Sequence, residues 1–141
     1  MNRLVASLLL LAAVAPVTPV TAQIPPTGPA LGGAIEIQGN GTGTTGAVVG
    51  TLAGVSGKVT YICGFSVSAI GGTATVGPIT IANLVTASQV YQLASSASGS
   101  TLAVTFSPCI PASAANQSIT TTTTADGTAT AVDVNSWGYQ R

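Results

Sequence analysis

Hydrophobic residues recur at every second position along much of this chain. From Lys58 to Ser68 it reads Lys-Val-Thr-Tyr-Ile-Cys-Gly-Phe-Ser-Val-Ser. Val59, Tyr61, Cys63, Phe65 and Val67 alternate there with smaller or more polar residues. Successive side chains on an extended strand point to opposite faces, so this spacing predicts a half-buried strand with those five residues on one face. The stretch holds two of the six aromatic residues and one of the two cysteines, so the core is expected to be built around it.

The same period places other strands. Ala34 to Gln38 sets Ile35 and Ile37 on one face and Glu36 on the other, and Gly39-Asn40-Gly41 then predicts a turn. Ala47 to Leu52 is a short apolar strand cut by Gly50. Gly71-Gly72 predicts a two-residue hairpin turn, because glycine takes positive φ without steric cost. Thr73 to Val76 and Ile79 to Ala82 flank a break at Gly77-Pro78. Asn83 to Ala97 fits both periods, Leu84, Ala87, Tyr91 and Ala94 at helical spacing and Ala87, Gln89, Tyr91 and Leu93 at strand spacing. Few charges and several Ser, Thr and Val residues favour strand there. Leu102, Val104 and Phe106 mark a strand ending at Ser107, followed by a corner over Pro108 to Asn116 with room for one helical turn. Ser118 to Thr124 is a Thr-rich strand whose alternate threonines are expected on a solvent-facing surface. Ala125-Asp126-Gly127 predicts a turn, and Thr128 to Tyr139 the last strand. About eight strands joined by short turns predict an all-β fold, a single antiparallel β-sandwich or jelly roll.

The N-terminus breaks this pattern. Arg3 precedes an apolar run from Leu4 to Ala15, Pro16 to Ala22 breaks any helix, and Val20-Thr21-Ala22 sets small residues at a cleavage position. Residues 1–22 are therefore expected to be a signal peptide, the run being too short to span about 30 Å of hydrocarbon. Cutting after Ala22 leaves about 119 residues, enough for one domain with one modest core. Residues 23–33, with Ile24-Pro25-Pro26-Thr27-Gly28-Pro29, read as a Pro/Gly-rich tail or linker before a domain over 34–141. The expected location is secreted, periplasmic or cell-surface. A membrane β-barrel is disfavoured, since its two aromatic girdles need more than six aromatics.

Charge narrows the function. Beyond Arg3 the chain has Lys58 and Arg141 against Glu36, Asp126 and Asp133. No basic stripe exists to bind nucleic acid or an anionic membrane. Cys63 and Cys109 are the only cysteines, and in an exported chain a lone pair predicts one disulfide. There is no histidine, which removes the commonest general base and the commonest zinc ligand, and no nucleotide-binding, metalloprotease or nucleophile-elbow motif is present. Glu36 and Asp133 form a glycosidase-like pair only if the fold brings them within about 5–10 Å. No catalytic residue, metal site or cofactor is assigned.

The C-terminal stretch from Gly127 to Gln140 resembles the closing strand of chaperone–usher pilin subunits. Those are exported, single-disulfide, Ig-like sandwiches with a Gly about fourteen residues from the end and a penultimate Tyr. Gly127 and Tyr139 keep that mutual spacing, with Arg141 one residue beyond. The resemblance implies a β-sandwich and puts the family's N-terminal donor strand near Ala34 to Gln38. Two functions fit these observations. The first is a non-enzymatic structural or interaction protein that pairs strand edges or faces with itself or another exported protein. The second is a small carbohydrate-binding module whose platform is Trp137 and Tyr139, which share one face of the last strand.

Overall fold

Every element among the described residues is a strand: β1 (Ile35–Gly43), β2 (Thr45–Leu52), β3 (Thr60–Ile70), β4 (Ile79–Ala82), β5 (Gln89–Tyr91), β6 (Ser100–Pro111), β7 (Ile119–Asp126) and β8 (Ala131–Gln140). The structure is a computed structural model, and it describes residues 33–70, 77–93, 99–126 and 131–141. The expected signal peptide, all but Gly33 of the tail, the Gly71-Gly72 turn, Thr73 to Val76 and Gly127 lie outside them. The strands form two antiparallel four-stranded sheets, ordered β1-β8-β3-β6 and β2-β7-β4-β5. This is the expected β-sandwich, pinned by a bond between Cys63 and Cys109.

Both sheets feed one core. Ile62, Phe65, Val67, Val132 and Val134 enter it from the first sheet, and Leu52, Ile79, Ile81 and Ile119 from the second. Each of these is fully buried.

The central strand is β3, but its faces are not those the simple alternation predicts. Thr60, Ile62, Phe65, Val67 and Ala69 are buried, whereas Tyr61 and Cys63 are only half-buried. The register of β3 shifts between Ile62 and Gly64 against both neighbours. An irregularity of this kind inserts an odd number of residues and flips the side chains that follow. Tyr61 and Cys63 therefore belong to the outer face, and Phe65 and Val67 to the inner. On β6 the same irregularity is larger. Ile62 pairs with Ile110 and Gly64 with Thr105, so Phe106 to Cys109 stand against Cys63 alone. The disulfide closes this break between neighbouring strands of one sheet. The expected end of β6 at Ser107 is likewise corrected: the strand continues through a cis Ser107–Pro108 peptide to Pro111. The corner narrows to a bend and turn over 113–116, without a helical turn.

Gly39-Asn40-Gly41 is not a turn. β1 runs straight through it, and the chain bends at Thr44 instead. These glycines serve close approach. A Cβ on Gly39 would fall on the Thr51 carbonyl, and one on Gly41 on the Val49 carbonyl. Gly50, which does not interrupt β2, meets the Gly39 carbonyl from the other side. Side-chain-free backbone thus lets β1 and β2 close one flank of the sandwich.

The threonine strand divides between both faces. Thr120 and Thr122 are half-buried and Thr124 is exposed, but Thr121 and Thr123 lie in the core. Buried hydroxyls need partners. Ser136 Oγ donates to Thr121 Oγ1 across the sheets at 2.8 Å, and Thr123 Oγ1 donates to the Gly77 carbonyl at 2.9 Å. Gln140, buried on β8, donates to the Ala53 carbonyl and to Thr60 Oγ1. Among the described residues no buried side-chain polar atom lacks a partner.

Among the described residues of 83–97, which end at Leu93, the strand preference holds for Gln89 to Tyr91. Asn83 and Ala87 take positive φ, 68° and 72°, and Ala87 N–H donates to the Leu84 carbonyl at 3.2 Å. A turn thus occupies most of the space between β4 and β5. As a result β5 has 3 residues where β6, the outermost strand of the other sheet on the same flank, has 12.

Candidate functional site

Two surfaces follow from this architecture: the outer face of the β1-β8-β3-β6 sheet and the flank where β6 outruns β5.

Directly opposed residues of an antiparallel pair share a face. Gln38 on β1, Trp137 on β8, Gly64 on β3 and Thr105 on β6 form one row of the outer face. Glu36, Tyr139, Tyr61 and Pro111 form the next. The rows beyond Trp137 carry small polar residues, including Asn40 opposite Asn135 and Thr42 opposite Asp133. Trp137 and Tyr139 thus share one half-exposed face, as the alternation predicts.

The Trp137 ring lies over Gly64, in the space a side chain would otherwise occupy. Two residues along, Tyr139 stacks on Tyr61 with ring centroids 4.7 Å apart and planes 11° from parallel. Arg141 covers the other side of Tyr61, its guanidinium 5.1 Å from the ring centroid. Arg141 Nε donates to the Tyr61 hydroxyl at 3.3 Å. That hydrogen bond raises the Arg141 pKa, so the group is a fixed cation. The chain end is held by reciprocal backbone bonds between Val59 and Arg141. The half-buried Cys63–Cys109 bond lies beside the aromatic rows. Sequence reasoning missed Tyr61, because the break at Cys63 makes simple alternation count it as inward.

The carboxylates are kept apart. Glu36 sits opposite Tyr139, while Asp133 sits opposite Thr42 and accepts its hydroxyl at 2.7 Å. Six residues of β1 separate those positions, about 20 Å at strand rise. A glycosidase-like pair of these two is therefore ruled out geometrically. Among the described residues no three His, Cys, Asp or Glu gather as metal ligands, and no helix is long and apolar enough to cross a membrane.

On the flank, β6 pairs with β3 on one side and is the last strand of its sheet on the other. Thr101 to Phe106 contains no charge, glycine or proline. Leu102, Val104 and Phe106 turn toward the core yet are only half-buried. Phe106 and Tyr91 reach Phe65, with centroids at 6.2 and 5.1 Å, but three residues of β5 do not cover the length of β6. Natural sheets blunt such edges with charge, proline or a cover. Among the described residues the Phe106 to Cys109 break does so, at one end.

No family model, no curated protein and no solved structure matches this chain.

Proposed function

We propose that this is an exported, non-enzymatic structural protein that assembles with further copies of itself by pairing the outer edge of β6 along Thr101 to Phe106. The observation that carries this reading is the mismatch on the open flank. An uncharged edge strand with half-covered apolar residues has unused main-chain hydrogen-bonding capacity and apolar area to bury. Strand addition uses both at once: the backbone supplies the bonds and alternate side chains the fit. Antiparallel pairing of β6 with β6 around a two-fold axis closes on itself and presents the same patch from each copy. The near-neutral surface supports this, since little charge opposes association. Export rests on the N-terminal Arg3 to Ala22 pattern and agrees with a disulfide.

The test is the mass of the protein in solution against concentration. Wild type is expected to shift from monomer toward dimer as concentration rises. Thr101→Lys with Ala103→Lys, both on exposed outer positions of β6, sets like charges on facing strands and is expected to abolish the shift. A wild-type protein monomeric at every concentration, or a double variant that associates equally well, contradicts the proposal.

A further inference from the structure

The outer face offers a second kind of contact, independent of the β6 edge. We infer that the row centred on Trp137 is a binding site for a neutral, extended oligosaccharide. Three features point to this ligand class.

The first is the platform. The Trp137 ring packs over Gly64, where a larger residue would displace it, and remains partly exposed there. The apolar face of a sugar ring, its C–H bonds directed at the indole, fits a flat, electron-rich surface of this kind. Trp137 belongs to neither the core nor the partly buried apolar residues packed against it, so its ring is placed on the surface at a cost in exposed apolar area.

The second is what surrounds it. Gln38 lies opposite Trp137 on β1, and Asn135 one row along on β8, next to Asn40. All three are exposed. Their amides carry paired donors and acceptors, which match vicinal hydroxyls and have no preference for a charged group. Thr105 ends the row on β6. From Gln38 to Thr105 the row crosses three strand spacings, about 14 Å. The site is therefore a flat strip suited to several residues of a chain, not a pocket for one small molecule.

The third is charge. Among the described residues the aromatic end holds Arg141 and Glu36. Arg141 is already committed to Tyr61, by its ring contact and its hydrogen bond. Asp133 accepts from Thr42 at the far end. The Trp137 row itself carries no charge. An anionic polysaccharide or nucleic acid would find no free basic cluster here, whereas a neutral glycan has no ions to desolvate.

Trp137 is the sole tryptophan, so its fluorescence reports on this site alone. The experiment titrates the folded, disulfide-bonded protein with neutral hexasaccharides of β-linked glucose, of N-acetylglucosamine and of mannose, and with an oligogalacturonate as the anionic comparison. The same proteins are then sedimented with the insoluble neutral polysaccharides. A saturable change in emission with at least one neutral sugar and none with oligogalacturonate is expected. Gln38→Ala with Asn135→Ala, both at exposed positions, is expected to weaken that binding about tenfold or more, with thermal unfolding unchanged. Trp137→Ala is expected to remove the sedimentation. The titration is repeated at low and high protein concentration and is expected to give the same affinity for the sugar, which separates this site from the assembly edge. Emission and sedimentation blank with every neutral sugar, or a Gln38→Ala, Asn135→Ala protein that binds undiminished, would overturn the inference.

Discussion

Phe65→Ala is expected to destabilise the fold by about 3–5 kcal/mol, the usual range for truncating a fully buried phenylalanine. Phe65 is the largest of the side chains with no exposure, and from β3 it reaches the other sheet at Tyr91. Its ring meets Tyr91 of β5 at 5.1 Å and Phe106 of β6 at 6.2 Å. Both strands are sheet edges, and β5 has few other residues with which to hold its position. Truncation therefore leaves a cavity and also removes the aromatic contacts with Tyr91 and Phe106 on that flank. Against a total stability of about 5–15 kcal/mol for an ordinary domain, this is a large fraction. Urea unfolding checks it, and a loss below about 1 kcal/mol would show that Phe65 does not organise the core.

Removing the disulfide is the second large effect. Cys63 and Cys109 are 46 residues apart, and closing a loop of that length restricts the unfolded chain by about 4 kcal/mol in the entropy model. The bond also sits where β3 and β6 fall out of register, so the ladder has no regular pairing there to replace it. Cys63→Ser with Cys109→Ser is expected to cost about 2–5 kcal/mol. Reductant is expected to bring the wild type to the same midpoint. Equal midpoints for oxidised and reduced protein would contradict the pairing.

The fold class was legible because it depends on a local signal. Period-two hydrophobicity needs only neighbours in the chain, and it marked β3, β6 and β8 at near their observed places. What was not legible depends on contacts between distant segments. The break at Cys63 puts Tyr61 and Phe65 on opposite faces, and it is visible only in the pairing of β3 with β6 and β8. Gly39 and Gly41 read as a turn because glycine commonly serves one, but here they let β1 lie against the backbone of β2. Thr120, Thr122 and Thr124 take the outward positions that the alternation of the threonine run predicts. The burial of Thr121 and Thr123 on the other face depends on Ser136 across the core and on the Gly77 carbonyl beside β7, partners that local sequence does not show. Trp137 and Tyr139 are legible together because the extra residue is on β3, so the alternation of β8 is uninterrupted although the break falls between their partners Gly64 and Tyr61. The open flank had no sequence signal, since it results from a turn at Asn83 and Ala87 that takes the place of a longer β5.

Self-assembly of this kind requires that the outer edge of β6 pair between copies. Amide hydrogen exchange, followed at low and high protein concentration, tests that most directly. The prediction is that amides of Thr101 to Phe106 gain protection as concentration rises, while those of β1 and β2 on the closed flank do not change. Concentration-independent exchange along β6, or protection that instead grows at β1 and β2, would contradict it.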